Sequence, residues 1–365
     1  MNLMFKGRKR TVIIILVCIA LAILLFATNS AVVELYYSTS VYPFISNLLR
    51  FIIGWIPFSI GDLLYTFILV YFIWRIIKGT RVIRRRELSV KKIRYHFYKL
   101  IVQLLLLYIV FNFLWGLNYD RKDIASQMGL AGDKYTKDEL IQINMLLAEK
   151  VNDCKRNVTA QHLPVPPTKE LFKKTHQFYQ QVAVTYPFLQ YRYASVKPSF
   201  FGTIGNYLGF SGYYNPFTGE AQVNTTIPDF LQPFVTCHEV GHQLGYAKEN
   251  EANFAGYIAA TTSGDQIFMY SAYLDIFMYA NRNLRRTDSV YAKQVFQTLD
   301  TTVKDDIRRI QTFYKKYENP VEPYINWLYG KYLERNRQPS GILSYSEVVA
   351  DVIGYYKKYG RVGGK

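Results

Sequence analysis

An uncharged apolar segment near the amino terminus limits the folds open to this chain more than any other feature. It covers residues 11–28 and reads TVIIILVCIALAILLFAT. A segment of this length can cross the hydrocarbon core of a bilayer, where only structures that pair all their own backbone groups are stable, so it is predicted to be helical. Since no small-residue cleavage site clearly follows it, we interpret it as a retained anchor and not as a signal peptide.

Two more apolar segments, at 57–77 and 100–117, predict a membrane domain of three spans within residues 1–119. The sequence between the first two spans, YPFISNLLRFIIGWIPF, is apolar but short, and it is interrupted by prolines and by Arg50. This pattern favours an interfacial or re-entrant helix over a full crossing.

The distribution of charge predicts an orientation. The net charge is +17, and thirteen of the 44 Lys and Arg residues lie in two short blocks, at 6–10 and 78–99, next to the apolar segments. Cytoplasmic loops carry such an excess of Lys and Arg, so both blocks are predicted to be cytoplasmic. Three spans then make this a multi-pass protein of the plasma (inner) membrane whose residues 120–365 lie outside the cytoplasm. The same distribution indicates a bilayer partner and argues against nucleic acid as a partner.

Residues 120–365 are predicted to form one α+β domain, mainly helical with a small sheet. Apolar residues at helical spacing indicate helices at about 137–157 and from Thr168, which we expect to be a cap. A turn followed by a strand is expected at about 220–226. The apolar segment 265–280 could be a fourth span, but its two aspartates and its length favour a buried core helix.

The segment TCHEVGHQLGYAKENEAN contains the residues that carry chemistry. His238 and His242 are four residues apart and therefore share one face of a helix, where two imidazoles can bind one Zn²⁺. Glu239 lies about a third of a turn round, too far to be an easy ligand but well placed to act on a water at the metal. This is the arrangement of H-E-x-x-H metallopeptidases.

The residues after the second histidine predict a turn and a second helix. Gly245 is a good helix stop, because glycine readily adopts the left-handed conformation. A second helix is expected to begin near Glu249. Glu249 and Asn253 share one face of that helix, whereas Glu251 points about the opposite way.

HEVGH followed by ENEAN resembles the gluzincin type of zinc metallopeptidase, whose third ligand is a glutamate on a following helix. The resemblance implies a zincin-like domain in which Glu249 is the third ligand and Asn253 supports a ligand. It also implies that an edge strand, here 219–228, pairs with an extended peptide substrate. Membrane spans followed by this motif are similar to a family of bacterial membrane proteins of unknown function.

Two features depart from the known patterns. The interval from His242 to Glu249 is shorter than in many gluzincins, which leaves Glu251 as an alternative third ligand. Metzincins place a third histidine where this chain has Lys248, and a protonated lysine cannot bind zinc, so their usual ligand set is not supported.

These observations predict a membrane-anchored zinc peptidase that hydrolyses a peptide or protein at the outer face of the membrane, with Glu239 activating a zinc-bound water. The alternative is a non-catalytic membrane protein whose H-E-x-x-H site is structural or vestigial. A fourth protein ligand would favour the alternative, and an open position would favour catalysis. An intramembrane protease is disfavoured, because the sequence before the motif contains Asp229, Gln232 and two prolines.

Overall fold

The computed structural model describes residues 2–84, 89–130 and 134–364, so Arg85 and Arg86 of the second basic block lie outside the described residues. The amino-terminal part is helical. Its elements are α1 (Asn2–Phe26), α2 (Ser30–Val33), a π-helical segment (Glu34–Val41), α3 (Tyr42–Ile53), α4 (Ile60–Arg84) and α5 (Val90–Leu114).

Two of these helices are long and apolar enough to cross a membrane. They are α4, over Ile60–Arg81, and α5, over Val90–Leu114, and they correspond to the spans expected at 57–77 and 100–117. The segment Arg10–Phe26 of α1 is long and apolar enough for a span only when it is taken together with Ser30–Ile53. The chain is bent by 103° between these two segments. The described residues thus contain two clear candidates, and the first span, at 11–28, stays a prediction.

Helix α3 has one apolar exposed face. Phe44, Leu48, Phe51 and Trp55, at or just beyond the helix, are all exposed. The 103° bend turns the segment that contains α3 nearly perpendicular to α1. Both observations agree with the interfacial helix expected between the first two spans, because such a helix lies across the direction of a span with its apolar face toward lipid.

The rest of the chain is mainly helical with one small sheet, which confirms the predicted class in outline. Its helices are α6 (Ile124–Gln127), α7 (Lys137–Ala160), α8 (Thr168–Ala183), α9 (Gly202–Leu208), α10 (Gln232–Gln243), α11 (Glu249–Thr262), α12 (Gln266–Thr287), α13 (Ser289–Gln297), α14 (Thr301–Tyr317), α15 (Glu322–Arg335) and α16 (Val348–Tyr359). Short 3₁₀ segments are Gly116–Asp120, Pro187–Leu189, Asp229–Leu231 and Gly341–Glu347. The strands are β1 (Val196–Pro198), β2 (Gly212–Asn215) and β3 (Glu220–Val223).

The order of strands corrects the expectation for the segment 219–228. Strand β3 lies in the middle of the sheet, parallel to β1 and antiparallel to β2. Both of its edges are therefore occupied, and it cannot pair with a substrate. Strand β2 is the edge strand next to the motif helix, because the glycine at its start, Gly212, lies against Glu239. The prediction of a strand here is confirmed, but the prediction that it is an edge strand is wrong.

Helices α7, α8 and α12 lie close to the places that the sequence predicts. Helix α7 begins at the predicted place because Thr136 and Glu139 form a capping box. The residue before α8 is Pro167, so Thr168 is the first helical residue and not the cap that we expected. Helix α12 contains residues 266–280 of the apolar segment, is capped by Asp265 and packs on α7. Its side chains are largely buried and, within the described residues, it is not a candidate span, so it is a core helix.

Residues between the first two predicted spans hold the end of the motif helix. Tyr42 Oη, Ser46 Oγ and Arg50 Nη1 all donate to the Gln243 carbonyl oxygen, at 2.9, 3.1 and 3.0 Å. Carbonyls at a helix C-terminus have no partner within the helix, so buried donors here stabilise the end of α10. Lys197 likewise donates to the carbonyls of Gly54 and Ile56. The two predicted domains therefore share a buried interface.

Replacing Arg50 by Ala is expected to lower the stability of the whole protein by about 2–3 kcal/mol, because it removes a buried charged donor from the end of α10. Arg50 is 3% exposed and also lies over the ring of Tyr191. Thermal unfolding in detergent would show the loss. The matched control is Arg192→Ala, since Arg192 is exposed. Equal melting temperatures for the two variants would contradict the capping role.

Candidate metal centre

Helix α10 places the two motif histidines and ends where the sequence predicts. Its first turn contains Pro233, which suits a helix start because proline lacks the N–H that would remain unpaired there. At its other end Gly245 has φ 87°. Gly245 N donates to His242 O at 2.9 Å and Tyr246 N to Gly241 O at 3.2 Å. These two bonds form a Schellman motif, which turns the chain sharply toward α11.

Helix α11 begins at Glu249, as predicted, and packs closely on α10. Its first N–H is satisfied by the side chain of Gln338, whose Oε1 accepts from Glu249 N at 2.9 Å. A Cβ on Gly241 would lie 3.0 Å from Ala252 O, and one on Gly256 would lie 2.8 Å from His238 N. The absence of side chains at both glycines thus allows the two helices to approach closely, which brings Glu249 to the histidines.

Three buried side chains converge between α10 and α11. Glu249 Oε2 lies 3.3 Å from His238 Nε2 and 3.4 Å from His242 Nε2. The ligand atoms of the three residues all lie within 4.8 Å of one another, so the group could hold a metal ion. Two imidazole nitrogens and one carboxylate oxygen form a donor set that suits zinc.

The other ring nitrogens orient both histidines. His238 Nδ1 donates to Asn253 Oδ1 at 2.7 Å, and His242 Nδ1 donates to Tyr246 O at 2.8 Å. Because oxygen acceptors require the proton on Nδ1, the Nε2 atom of each ring faces the shared space, where a neutral imidazole presents its lone pair. Asn253 is itself held by its bond to Tyr345 O, at 3.1 Å. Asn253 therefore has the supporting position that the resemblance implied.

The environment of Glu249 fits a bound cation. Tyr329 Oη donates to Glu249 Oε1 at 2.6 Å. Glu249 Oε2 is buried, and no group among the described residues donates a hydrogen bond to it. Burial acts to raise the pKa of Glu249, but His242 and His238 outweigh it and hold the pKa below its ordinary value. This attraction comes from the protonated form of the imidazoles, and a metal ion that replaces their Nε2 protons would stabilise the same charged oxygen.

The other candidate ligand, Glu251, lies elsewhere. Its Oε1 is 3.3 Å from Lys248 Nζ, and its side chain is fully buried. Burial raises its pKa, against the attraction of Lys248 and Arg121. Glu251 is not part of the group that could hold a metal ion. Its environment is that of a buried ion pair on the opposite face of α11, as the helical spacing indicates.

Glu239 lies next to the three converging residues but does not join them. Its Oε2 is buried and, among the described residues, accepts no hydrogen bond. Burial raises the pKa of Glu239 to about 7; His238 and His242 act against this shift, and Glu249 adds to it. A carboxyl group with a pKa near neutrality can both accept and return a proton at physiological pH.

A cleft of about 710 Å³ gives access to this group. It is lined at one end by His238, Glu239, Asn253 and Tyr345, and Gly212 of the edge strand β2 also lines it. Its volume is within the range that accommodates a ligand or a short segment of peptide.

Three aromatic residues at the centre were not identified from sequence. Tyr329 binds Glu249, Tyr345 stacks on His238 with 14° between the rings, and Trp115 packs edge-on against His242 at 6.1 Å. They come from α15, from the 3₁₀ segment Gly341–Glu347 and from the residue after α5. Nothing in their local sequence signals this role, since each is one of many aromatics in the chain.

Replacing Asn253 by Ala is expected to reduce metal affinity roughly 10–100-fold, as loss of a hydrogen bond that orients a histidine ligand does elsewhere. Titration of metal-depleted protein with zinc would measure the change. Asn250→Ala is the matched control on the same helix, because Asn250 contacts Asp351 and not a histidine. Equal affinities in the two variants would contradict the supporting role of Asn253.

Comparison with known proteins gives a family and no assigned activity. Among curated proteins and among solved structures, no match to this chain is found. Residues 37–353 match the family described as "Protein of unknown function (DUF3810)". The match covers α3 to α5, the sheet and the metal centre, so it includes both halves of the chain. The chain therefore belongs to the DUF3810 family, whose function is unknown.

Proposed function

We propose that this protein is a membrane-anchored zinc peptidase that hydrolyses a peptide or protein at the outer face of the membrane. The observation that carries the proposal is the position of Glu239, a buried carboxylate with an unpartnered oxygen, beside the group of His238, His242 and Glu249. Glu239 and His238 both line the cleft. A structural metal site would not require a carboxylate in this position.

The number of converging side chains also supports catalysis over the structural alternative. In the described part of the chain the group consists of three side chains. Structural zinc sites have four protein ligands as a rule, whereas catalytic sites have three and leave one position open. The non-catalytic alternative is thereby disfavoured, and the experiment below separates the two.

The proposed chemistry assigns one task to each residue. Zinc held by His238, His242 and Glu249 would supply a Lewis acid that polarises a peptide carbonyl and acidifies water. Glu239 accepts the proton of the attacking water and returns it to the departing amine, a role that its raised pKa suits. Strand β2 is an edge strand of the sheet, and its backbone groups would pair with an extended peptide beside Glu239.

The proposed orientation uses three crossings, of α1, α4 and α5, with the amino terminus in the cytoplasm. Helix α1 packs against α5, which supports α1 as the first crossing. The basic residues at 6–10 and 78–99 are then cytoplasmic. The metal centre follows α5 and lies on the outer side.

The test is hydrolysis of a mixed peptide library by the purified full-length protein. We expect cleavage by the zinc-loaded protein, none after chelation, and recovery when zinc is restored. Metal analysis of the same sample identifies the ion. Stoichiometric zinc with no cleavage of any peptide would support the structural alternative.

A further inference from the structure

An apolar surface outside the candidate spans has no partner among the described residues. On α15 the side chains of Tyr324, Trp327 and Leu328 are 71%, 62% and 56% exposed. Their spacing of three and four residues puts them on one face of the helix. A contiguous exposed apolar face of this kind marks contact with a protein partner or a membrane.

The position of α15 indicates which partner. Tyr332 and Tyr119 hydroxyls lie 2.9 Å apart, and Arg337 Nε donates to Asp120 Oδ1 at 2.7 Å. Tyr119 and Asp120 belong to the 3₁₀ segment that directly follows α5, a candidate span. The carboxyl-terminal part of α15 is therefore fixed beside the place where α5 leaves the bilayer.

The segment that leads into helix α9 is fixed in the same way to the other candidate span. Phe200 N donates to Asp62 Oδ2 at 2.7 Å, and Asp62 lies in the first turn of α4. Phe200 and Ile204 are 55% and 56% exposed. Helices α9 and α15 contact each other, so their exposed apolar residues lie in adjacent elements, both bound to the outer ends of membrane helices.

We propose that the exposed faces of α9 and α15 lie on the outer surface of the bilayer, and that the substrates of the cleft are polypeptide segments attached to that surface. Lipid is the occupant that continuity with α4 and α5 requires, because these helices enter the bilayer directly beside both elements. Trp and Tyr are also the side chains that favour the interface between headgroups and acyl chains.

The same two elements form part of the cleft, which links the membrane contact to the substrate. Gly209 and Phe210 directly follow α9, whereas Glu322 and Asn326 belong to α15, and all four line the cleft. A cleft bordered by helices that lie on lipid opens near the membrane surface. This second part of the proposal rests on the peptidase function proposed above, and the first part does not.

The membrane placement is tested by nitroxide labels on the full-length protein in vesicles of phosphatidylethanolamine and phosphatidylglycerol. Cys18, Cys154 and Cys237 are first replaced by Ala, and one label is attached at Leu328→Cys. The control label is at Val290→Cys, since Val290 is 68% exposed on α13, which packs on α12 and α7. We expect oxygen to relax the label at 328 more than a water-soluble nickel chelate does, and the reverse at 290. Equal access of the chelate to both labels would overturn the placement.

The substrate class is tested by comparing one cleavable peptide in two forms, free and linked to a lipid anchor in the vesicle. Tethering is expected to raise the cleavage rate roughly 10²-fold through effective concentration at the cleft. The double variant Trp327→Glu, Leu328→Glu should lose this preference and cleave the free peptide as before. Equal cleavage of both forms by the unaltered protein would overturn the substrate class.

Lipid contact at 328 without cleavage of either form would refute the peptidase function and leave the membrane placement intact.

Discussion

Replacing Glu239 by Gln is expected to leave the zinc content unchanged and to reduce peptide hydrolysis by roughly 10²–10⁴-fold. Glutamine has nearly the same shape but cannot accept the proton of water. Glu239 lies in the cleft wall and is separate from the three converging side chains, so its loss should not empty the site. Rates with a peptide cleaved by the unaltered protein, measured beside the zinc content of each sample, give the result.

The control for this variant is its stability, because a buried carboxylate is changed. Glu239 Oε2 has no hydrogen-bond donor among the described residues, so an amide there breaks no existing bond at that atom. We expect the melting temperature in detergent to stay close to that of the unaltered protein. Undiminished hydrolysis by Glu239→Gln would refute the assignment of Glu239 as the base.

Glu249→Gln and Glu251→Gln form a matched pair that should differ strongly in metal content. The change from carboxylate to amide removes the negative charge of the oxygen that faces both Nε2 atoms, at 3.3 and 3.4 Å. Its effect should exceed the roughly 10–100-fold drop in affinity that loss of a supporting residue causes. Glu251→Gln should retain zinc, because Glu251 faces Lys248 instead. Competition of each purified variant with a zinc-binding dye measures the affinities.

The pair also separates metal binding from folding. Glu251→Gln leaves the partly buried Lys248 ammonium without its charged partner, so that variant is expected to lose more stability than Glu249→Gln. The variant that binds metal should thus be the less stable one in the absence of metal. Zinc retained by Glu249→Gln and lost by Glu251→Gln would establish the alternative ligand and reverse the assignment.

The helices of the metal centre could be predicted because their signals are local. The four-residue spacing of His238 and His242, the glycine at 245 and the helix start at Glu249 depend on bonds between residues close in sequence. The structure has each of these features at the expected place. The separation of Glu249 from Glu251 follows in the same way, since helical periodicity puts them on different faces.

The two candidate spans were predictable for a related reason. Lipid leaves few choices to a long apolar segment, so composition alone predicts α4 and α5. The first span has weaker structural support, because α1 is long and apolar enough for a span only in combination with the segment after the bend.

What the sequence alone determined is the local chemistry of the centre: two histidines, a carboxylate beside them and a second helix that carries another. The tertiary structure decided which distant groups surround it. It placed Tyr329 on Glu249, Tyr345 on His238 and the donors of α3 on the end of α10. It also placed β3 in the middle of the sheet and not at the edge that we expected for it. The contacts of Tyr329, Tyr345 and α3 join residues from about eighty to two hundred positions apart. No local periodicity specifies such pairs, because they form only when helices and strands pack their buried faces together.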